Sequence, residues 1–207
     1  MHTVFDILTS GVHDAKNQLF LAESLIVQAE AKHGIHLDEV RFAIEQAASR
    51  LSRTLSAYKL RRNAGGALSI SMVYVADLLE EAAIINLPHC RHLGVNLTSE
   101  CAVNQSWPLD QELVLDMLSN AIQNASRFAR TCVQASADIE DGFLLLRVED
   151  DGPGFATPDI DQMAELGVGL SVARDLARQH ESHGRHGSVQ LSNGGRLGGG
   201  VFEIRLP

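Results

Sequence analysis

Residues 3–62 contain no proline and carry apolar residues at helical spacing. These are Phe5, Leu8, Val12, Leu19, Leu21, Leu25, Ile26, Leu37, Val40, Phe42, Ala43, Ile44, Ala47, Leu51 and Leu55. Gly34 interrupts the pattern once, so it predicts two long helices joined by a tight turn, an antiparallel hairpin. Because one such pair cannot bury both of its apolar stripes, we expect a homodimer in which two hairpins form a four-helix bundle.

The pattern changes to mixed helix and strand after residues 61–66, where a charged helix end is followed by two glycines. We therefore divide the chain into domains 1–64 and 65–207. We expect strands at 69–72, 94–97, 133–139, 143–148, 188–191 and 201–206, and helices at 73–85, 108–128 and 169–180. Asp110 is a candidate N-cap, and Glu140-Asp141-Gly142 a hairpin turn. The fold class is α+β: a helical hairpin, then an α/β sandwich with one helical layer on a mixed sheet.

Composition and charge narrow the range of functions. Hydrophobic residues make up 45% of the 207 residues, which supports a packed core, and the net charge of −9 disfavours nucleic-acid binding. No apolar run approaches ~18 residues, and the first residues do not resemble a secretion signal. We therefore expect no membrane span and a cytoplasmic location. Three cysteines, Cys90, Cys101 and Cys132, are an odd number without close pairing and predict reduced thiols.

Two Gly-x-Gly turns mark the candidate chemistry. The apolar strand at 143–148 runs into Asp150, which Gly152-x-Gly154 follows at once, and Gly167-x-Gly169 then opens a predicted helix. Glycine lets a backbone approach a ligand closely, and N–H groups at a helix start favour phosphate. A carboxylate at a strand end can accept a hydrogen bond from an exocyclic amine. This combination predicts a nucleotide pocket.

Asn120 and Asn124 lie one turn apart on one face of the predicted helix at 108–128. Asparagine is a poor helix former, and its amide oxygen is a hard neutral ligand that suits Mg²⁺. Two solvated surface asparagines are an equally open interpretation of this pair. Two histidine-rich segments, 89–92 and 180–186, have loose spacing, so we expect polar loops there rather than metal sites.

Three motifs, in chain order, resemble the three ATP-binding boxes of sensor histidine kinases, which are Bergerat-fold ATPases like gyrase and MutL. They are Asn120-x-x-x-Asn124-Ala125, Asp150-x-Gly152-x-Gly154 and Gly167-x-Gly169-Leu170. The end of the chain, 195–207, also resembles the last loop and strand of that fold. The resemblance covers about residues 66–207 and implies an ATP-binding domain of the histidine-kinase type.

The resemblance implies a role for each residue of these motifs. Asn124 would hold Mg²⁺ bridging the ATP phosphates, with support from Asn120, and Arg127 would lie near the phosphates. Phe128 would pack on adenine, and Asp150 would accept a hydrogen bond from the adenine amino group. The glycines that would give backbone access are Gly152, Gly154, Gly167 and Gly169. ATP-hydrolysing relatives have a glutamate at the Asn120 position, and asparagine cannot act as that base, which favours phosphoryl transfer to protein.

The first predicted helix carries His13-Asp14-Ala15-Lys16-Asn17-Gln18, which resembles the phospho-acceptor box of histidine kinases. His13 would attack the γ-phosphorus of ATP, and Asp14 would orient the imidazole. Either Asn17 or Gln18 would support removal of phosphate from a partner's aspartate, and the sequence does not decide between them. The proline often found at the Gln18 position is missing, which predicts a straighter helix.

The implied function is that of a protein-histidine kinase that autophosphorylates from ATP and passes the phosphoryl group to a response-regulator receiver domain, with possible dephosphorylation of that domain. A histidine phosphotransfer protein that has a kinase-like fold but little or no ATP-dependent activity is the alternative, and a serine kinase acting as an anti-sigma factor ranks last. The segment between Phe155 and Leu166, where the lid over ATP should lie, is short. We also expect a separate sensor or input protein.

Overall fold

The computed structural model describes residues 11, 15, 18–19, 21–22, 25–30, 32–44, 47–48, 51, 68–156 and 168–207. Contacts between Cα atoms divide the chain into two compact units, Met1–Arg62 and Asn63–Pro207. Each unit is described by itself below.

The turn expected at Gly34 lies in the first unit. Residues 32–33 and 38–44 are helical, and the N–H of Gly34 donates to the Glu30 carbonyl over 2.9 Å. The Glu30 carboxylate accepts from the N–H of Leu37 over 2.7 Å and lies 3.7 Å from Arg41, so it spans the turn. Much of the predicted hairpin, including most of 1–24 and 45–67, lies outside the described residues, so the hairpin as a whole remains a prediction.

The second unit alternates strands and helices. Its elements are β1 Ser71–Tyr74, α1 Val75–His92, β2 Asn96–Cys101, β3 Ser106–Leu109, α2 Gln111–Phe128, β4 Cys132–Glu140, β5 Phe143–Asp150, α3 Val168–Gln179, β6 Glu181–Ser182, β7 Arg185–His186, β8 Ser188–Asn193 and β9 Gly200–Leu206. The main sheet has the order β2-β4-β5-β9-β8, with β2 parallel to β4 and the other pairs antiparallel. Two small sheets pair β1 with β3 and β6 with β7.

The three helices pack on one face of the main sheet, where α1 contacts β2, α2 contacts β5 and α3 contacts β8. Alternate residues of β5, such as Leu144, Leu146 and Val148, are buried on that face. The opposite face carries charge, because Arg147 of β5 bonds to Glu203 of β9 over 2.5 Å. Within the described residues, this arrangement confirms the predicted helical layer on a mixed sheet in the second unit.

Several local predictions are confirmed. Asp110 is the N-cap of α2, since its carboxylate accepts from the N–H of Leu113 over 3.2 Å. Asp141 and Gly142 both have positive φ and join β4 to β5 in a two-residue turn. All three cysteines are free.

Other local predictions are wrong. The segment 89–92 is not a loop but the last turn of α1, which continues through Pro88 and buries His89 and Cys90. Proline usually ends a helix, but here the buried stripe formed by Leu78, Ala82 and Asn86 extends beyond it, so packing offsets the lost hydrogen bond. The short strands β3, β6 and β7 were not anticipated, and β1 begins two residues later than expected.

Candidate nucleotide site

An open cleft lies between α2, the end of β5, the strands β8 and β9, and the start of α3. Its walls include the apolar side chains of Ala121, Val148, Leu191 and Phe202. With its solvent-open mouth the cleft encloses about 620 Å³. Polar groups are few and come from two elements, α2 and the end of β5. An apolar slot with a few convergent polar groups suits a flat heterocycle that carries a charged tail.

Asp150, at the end of β5, is the buried carboxylate of the cleft and is only 6% exposed. Its Oδ1 atom accepts hydrogen bonds from the N–H of Gly152 over 2.8 Å and from the N–H of Gly200 over 3.2 Å. Within the described residues, Oδ2 accepts no hydrogen bond. The two backbone donors therefore fix the carboxylate, while one oxygen remains able to accept from a ligand.

Glycines surround Asp150 because there is no room for a side chain. A Cβ at Gly199 would lie 2.4 Å from the Asp150 carbonyl oxygen and 2.5 Å from Oδ1. A Cβ at Gly152 would lie 2.3 Å from the carbonyl oxygen of Phe128. The backbone around the carboxylate is consequently packed against it from two sides, which leaves the carboxylate little freedom to turn.

Helix α2 supplies the other polar groups of the cleft. Asn124, Arg127 and Phe128 all line it, because residues three and four apart share one face of a helix. The Phe128 side chain is 55% exposed, so most of its surface is available to a ligand. Asn120 is half-buried one turn before Asn124 and has interactions of its own.

The donor set fits Mg²⁺ bound together with phosphates. Among the described residues, no group of three or more His, Cys, Asp or Glu side chains could enclose a metal ion. The Asn124 side chain, which lines the cleft, offers one hard amide oxygen that could hold such an ion. Mg²⁺ commonly keeps waters and binds through one or two protein groups plus substrate phosphates, so one amide is sufficient on the protein side. The histidines at 180–186 form no metal site in this part of the chain: His180 is buried, and His183 lies in the β6–β7 turn.

The structure brings together only part of the predicted site. Asn124, Arg127, Phe128 and Asp150 meet at the cleft, with Gly152 and Gly154 beside it. Gly169 lies in the first turn of α3, and Gln18 is helical and exposed. His13, Asp14, Asn17, Gly167 and the expected lid at 157–166 lie outside the described residues.

Some residues of the cleft were not predicted from the sequence, and they come from the last two strands and from the loop after Gly154. Leu191 and Phe202 form cleft walls, and the alternation of buried residues along β8 and β9 could have identified them. Phe155 also lines the cleft, directly after the glycine motif. Asn193 binds the main chain of Phe155 at 2.7 Å, and no signal in the sequence links these two residues.

Comparison with known proteins shows what the chain resembles. Residues 109–207 match the family described as histidine kinase-, DNA gyrase B-, and HSP90-like ATPase. The chain is 31% identical to the sensor protein kinase CarS of Pseudomonas aeruginosa over 209 residues, 94% of this chain and 44% of CarS. It is 28% identical to the sensor protein PhoQ of Escherichia coli K12 over 211 residues, 95% of this chain and 42% of PhoQ. The chain thus spans less than half the length of these curated relatives.

A solved structure shows a similar fold. The histidine kinase AdeS of Acinetobacter baumannii superposes with a TM-score of 0.64 at 19% identity, over 92% of this chain and 95% of that one. Within the described part of this chain, no helix is both long and apolar enough to cross a membrane. Residues 109–207 therefore form an ATPase domain of the histidine kinase-, DNA gyrase B-, and HSP90-like type, and the chain resembles the core of sensor histidine kinases.

Proposed function

We propose that this chain is an ATP-dependent protein-histidine kinase of a two-component system, which phosphorylates itself on His13 and passes the phosphoryl group to a receiver-domain aspartate. The observation that carries the proposal is Asp150, a buried carboxylate held by two backbone donors, with one oxygen left to accept from a ligand in the same cleft as Asn124. This is the arrangement that the recognition of adenine beside a phosphate-binding helix requires.

The base of the nucleotide would be bound at the β5 end of the cleft. Asp150 Oδ2 would accept a hydrogen bond from the adenine amino group, and the ring would lie between apolar walls that include Val148 and Leu191. The exposed ring of Phe128 would pack on the base or ribose. A carboxylate at this position selects a base with an amino group over one with a carbonyl. A carbonyl has no hydrogen to donate, so the carbonyl and the carboxylate would face each other as two acceptors.

The phosphates would lie along α2. Asn124 would hold Mg²⁺, which would neutralise the charge of the phosphates, and Arg127 lines the same cleft. Asn120 has an amide where a hydrolase would need a base, and an amide cannot remove a proton from water. The pocket therefore favours transfer to a protein nucleophile over hydrolysis.

The nucleophile would be the imidazole of His13. In the proposed step a bond forms between a ring nitrogen and the γ-phosphorus, and the bond from that phosphorus to the oxygen of the departing ADP breaks. Asp14 would accept a hydrogen bond from the other ring N–H and orient the ring. Asn17 or Gln18 would support a second activity, the removal of phosphate from the receiver aspartate.

The proposal includes a homodimer through the N-terminal hairpin. Five large apolar side chains of the first unit are 43–61% exposed: Leu21, Leu25, Val27, Ile35 and Val40. Leu21 and Leu25 lie one helical turn apart, and exposed apolar side chains such as these are expected to be covered by a second copy. A receiver domain and a separate sensor or input protein are the other proposed partners, and the cytoplasm is the proposed location.

The decisive test is labelling of the purified chain with Mg²⁺ and [γ-³²P]ATP. We expect acid-labile label in the wild type, no label with His13→Gln although ADP binding persists, and no label with Asp150→Ala or Asn124→Ala because ATP binding is lost. His33→Gln and Asp138→Ala, which change exposed residues outside the cleft, are the matched controls and should label normally.

Each outcome has a separate meaning. Label that persists in His13→Gln would remove His13 from its role, and full activity in Asp150→Ala would refute the assignment of the pocket. If the wild type accepts phosphate from a phosphorylated receiver domain but takes none from ATP, the chain is a phosphotransfer protein instead.

A further inference from the structure

We propose that Asn193 is a positioning residue for the nucleotide site, which holds the Phe155 wall of the cleft through the main chain. The inference rests on the proposed function, because it assumes that the cleft binds ATP. Asn193 is the last residue of β8, and it lies outside the set of residues that line the cleft. Its effect on the nucleotide would therefore pass through Phe155.

The Asn193 side chain pairs with both polar groups of the Phe155 backbone. Oδ1 accepts from the Phe155 N–H over 2.7 Å, and Nδ2 donates to the Phe155 carbonyl over 2.7 Å. A primary amide is the side-chain group that offers one donor and one acceptor side by side, as the edge of a strand does. The pairing fixes both the position and the rotation of this peptide segment.

Gly154 lets the two segments come this close. A Cβ at Gly154 would lie 2.6 Å from Oδ1 of Asn193, and its φ of +76° is in the region that favours glycine. The second glycine of the Asp150-x-Gly152-x-Gly154 motif is thus required by the contact with Asn193, whether or not it also touches a ligand. This contact joins the end of β8 to the segment that follows β5.

Phe155 transmits the contact to the cleft. Its ring lines the cleft on the side of Gly200, where a Cβ would lie 3.1 Å from Cε2, and the Gly200 N–H is one of the two donors to Asp150. Displacement of Phe155 would widen the slot next to the carboxylate that is proposed to bind the base. The phosphate-binding groups on α2 make none of these contacts, so the base end alone should be affected.

The test measures nucleotide binding and autophosphorylation kinetics of the full chain with Asn193→Asp and Asn193→Ala. Asp keeps the shape and the acceptor but places a carboxylate oxygen against the Phe155 carbonyl, and Ala removes both hydrogen bonds. We expect ADP affinity to fall and the KM for ATP to rise about tenfold, from the loss of two hydrogen bonds to main chain, with kcat nearly unchanged. Ser192→Ala, an exposed neighbour on the same strand, should match the wild type.

The outcomes separate this inference from the proposed function. If the wild type binds no ADP, the proposed function itself is wrong. If the wild type binds ADP and both Asn193 variants bind it equally well, the positioning role is overturned while the nucleotide site stands. A merely structural role would lower the melting temperature and the fraction of active sites at an unchanged KM, and that result would also overturn the inference.

Discussion

Asp151 is a single residue whose carboxylate holds the connection between α2 and β4 in place. It follows Asp150 directly, but its carboxylate points to the connection between α2 and β4. There it accepts from the N–H groups of Arg130, Thr131 and Cys132 over 2.7–3.1 Å and from the Thr131 hydroxyl over 2.5 Å. The Thr131 hydroxyl, followed by the backbone donors, holds the pKa of Asp151 well below its usual value. The two adjacent carboxylates thus have different surroundings, because Asp150 lines the cleft and Asp151 binds the connection between α2 and β4.

We predict that Asp151 makes the second unit sensitive to acid. Because its pKa in the folded state lies below the ordinary value of about 3.9, the stabilisation is complete above that pH and is lost as the pH falls below it. Asp151→Asn should therefore lower the urea midpoint at pH 7, and its difference from the wild type should shrink as the pH falls below about 4. Asp138→Asn controls for the removal of one surface charge. A constant difference across this pH range would contradict the assignment.

At the scale of elements, a buried polar network joins the start of α2 to the end of α3. The N–H of Asp110 donates to Nε2 of His180 over 3.2 Å, and Nδ1 of the same ring donates to the Leu176 carbonyl over 3.0 Å. Asp110 also accepts from the N–H groups of Leu113 and Ser69. The imidazole must be neutral to accept from one group and donate to the other. The network fixes the origin of the helix that carries Asn124.

We predict that protonation of His180 weakens this network. Burial lowers the pKa of His180, and weaker contributions from the Leu176 carbonyl and Asp110 oppose the shift. Because the folded-state pKa is below the ordinary value of about 6.5, stability is complete above that pH and declines as the pH falls through it. His180→Gln should be less stable than the wild type at pH 8, by a margin that narrows toward pH 5.5 in chemical unfolding.

The matched control for His180 is His183→Asn, in the exposed β6–β7 turn, where asparagine tolerates the positive φ. This variant should keep the pH dependence of the wild type. Equal pH dependence in His180→Gln and the wild type would assign the effect to another group.

At the scale of the whole molecule, the proposed nucleotide site and the proposed acceptor belong to different units. Every described residue of the cleft belongs to the unit Asn63–Pro207, and His13 belongs to the unit Met1–Arg62. The second unit has its own sheet, helical layer and core, which includes Leu78, Leu118, Leu146 and Ile204. It therefore has what an independently folding domain requires.

We predict that residues 63–207, expressed alone, fold and bind ADP about as tightly as the full chain but take no label from ATP. Isothermal titration with ADP and the labelling assay measure the two properties. Addition of a separate 1–62 peptide tests whether the acceptor can be supplied from outside. Loss of ADP binding in the fragment, with binding intact in the full chain, would show that the site needs the first unit.

The sequence by itself determined the features that depend on local chemistry. The N-cap at Asp110 and the turn at Asp141-Gly142 follow from the preferences of single residues. Strand β4 follows from alternation along the chain, and strand β5 from a short continuous apolar run. The ordered motifs from Asn120 to Gly154 also indicated which residues to expect around one pocket, because each motif is short and continuous.

Only the tertiary structure decided the features that depend on packing between distant segments. Helix α1 continues past Pro88 because of what its buried residues pack against. No local pattern in the sequence contains this information. The pairing of Asn193 with Phe155 joins residues 38 positions apart. The sequence does not indicate whether an asparagine side chain binds water or a main-chain segment. Local propensities select helix, strand and turn, whereas the partner of a polar side chain is set by which segments the folded core brings together.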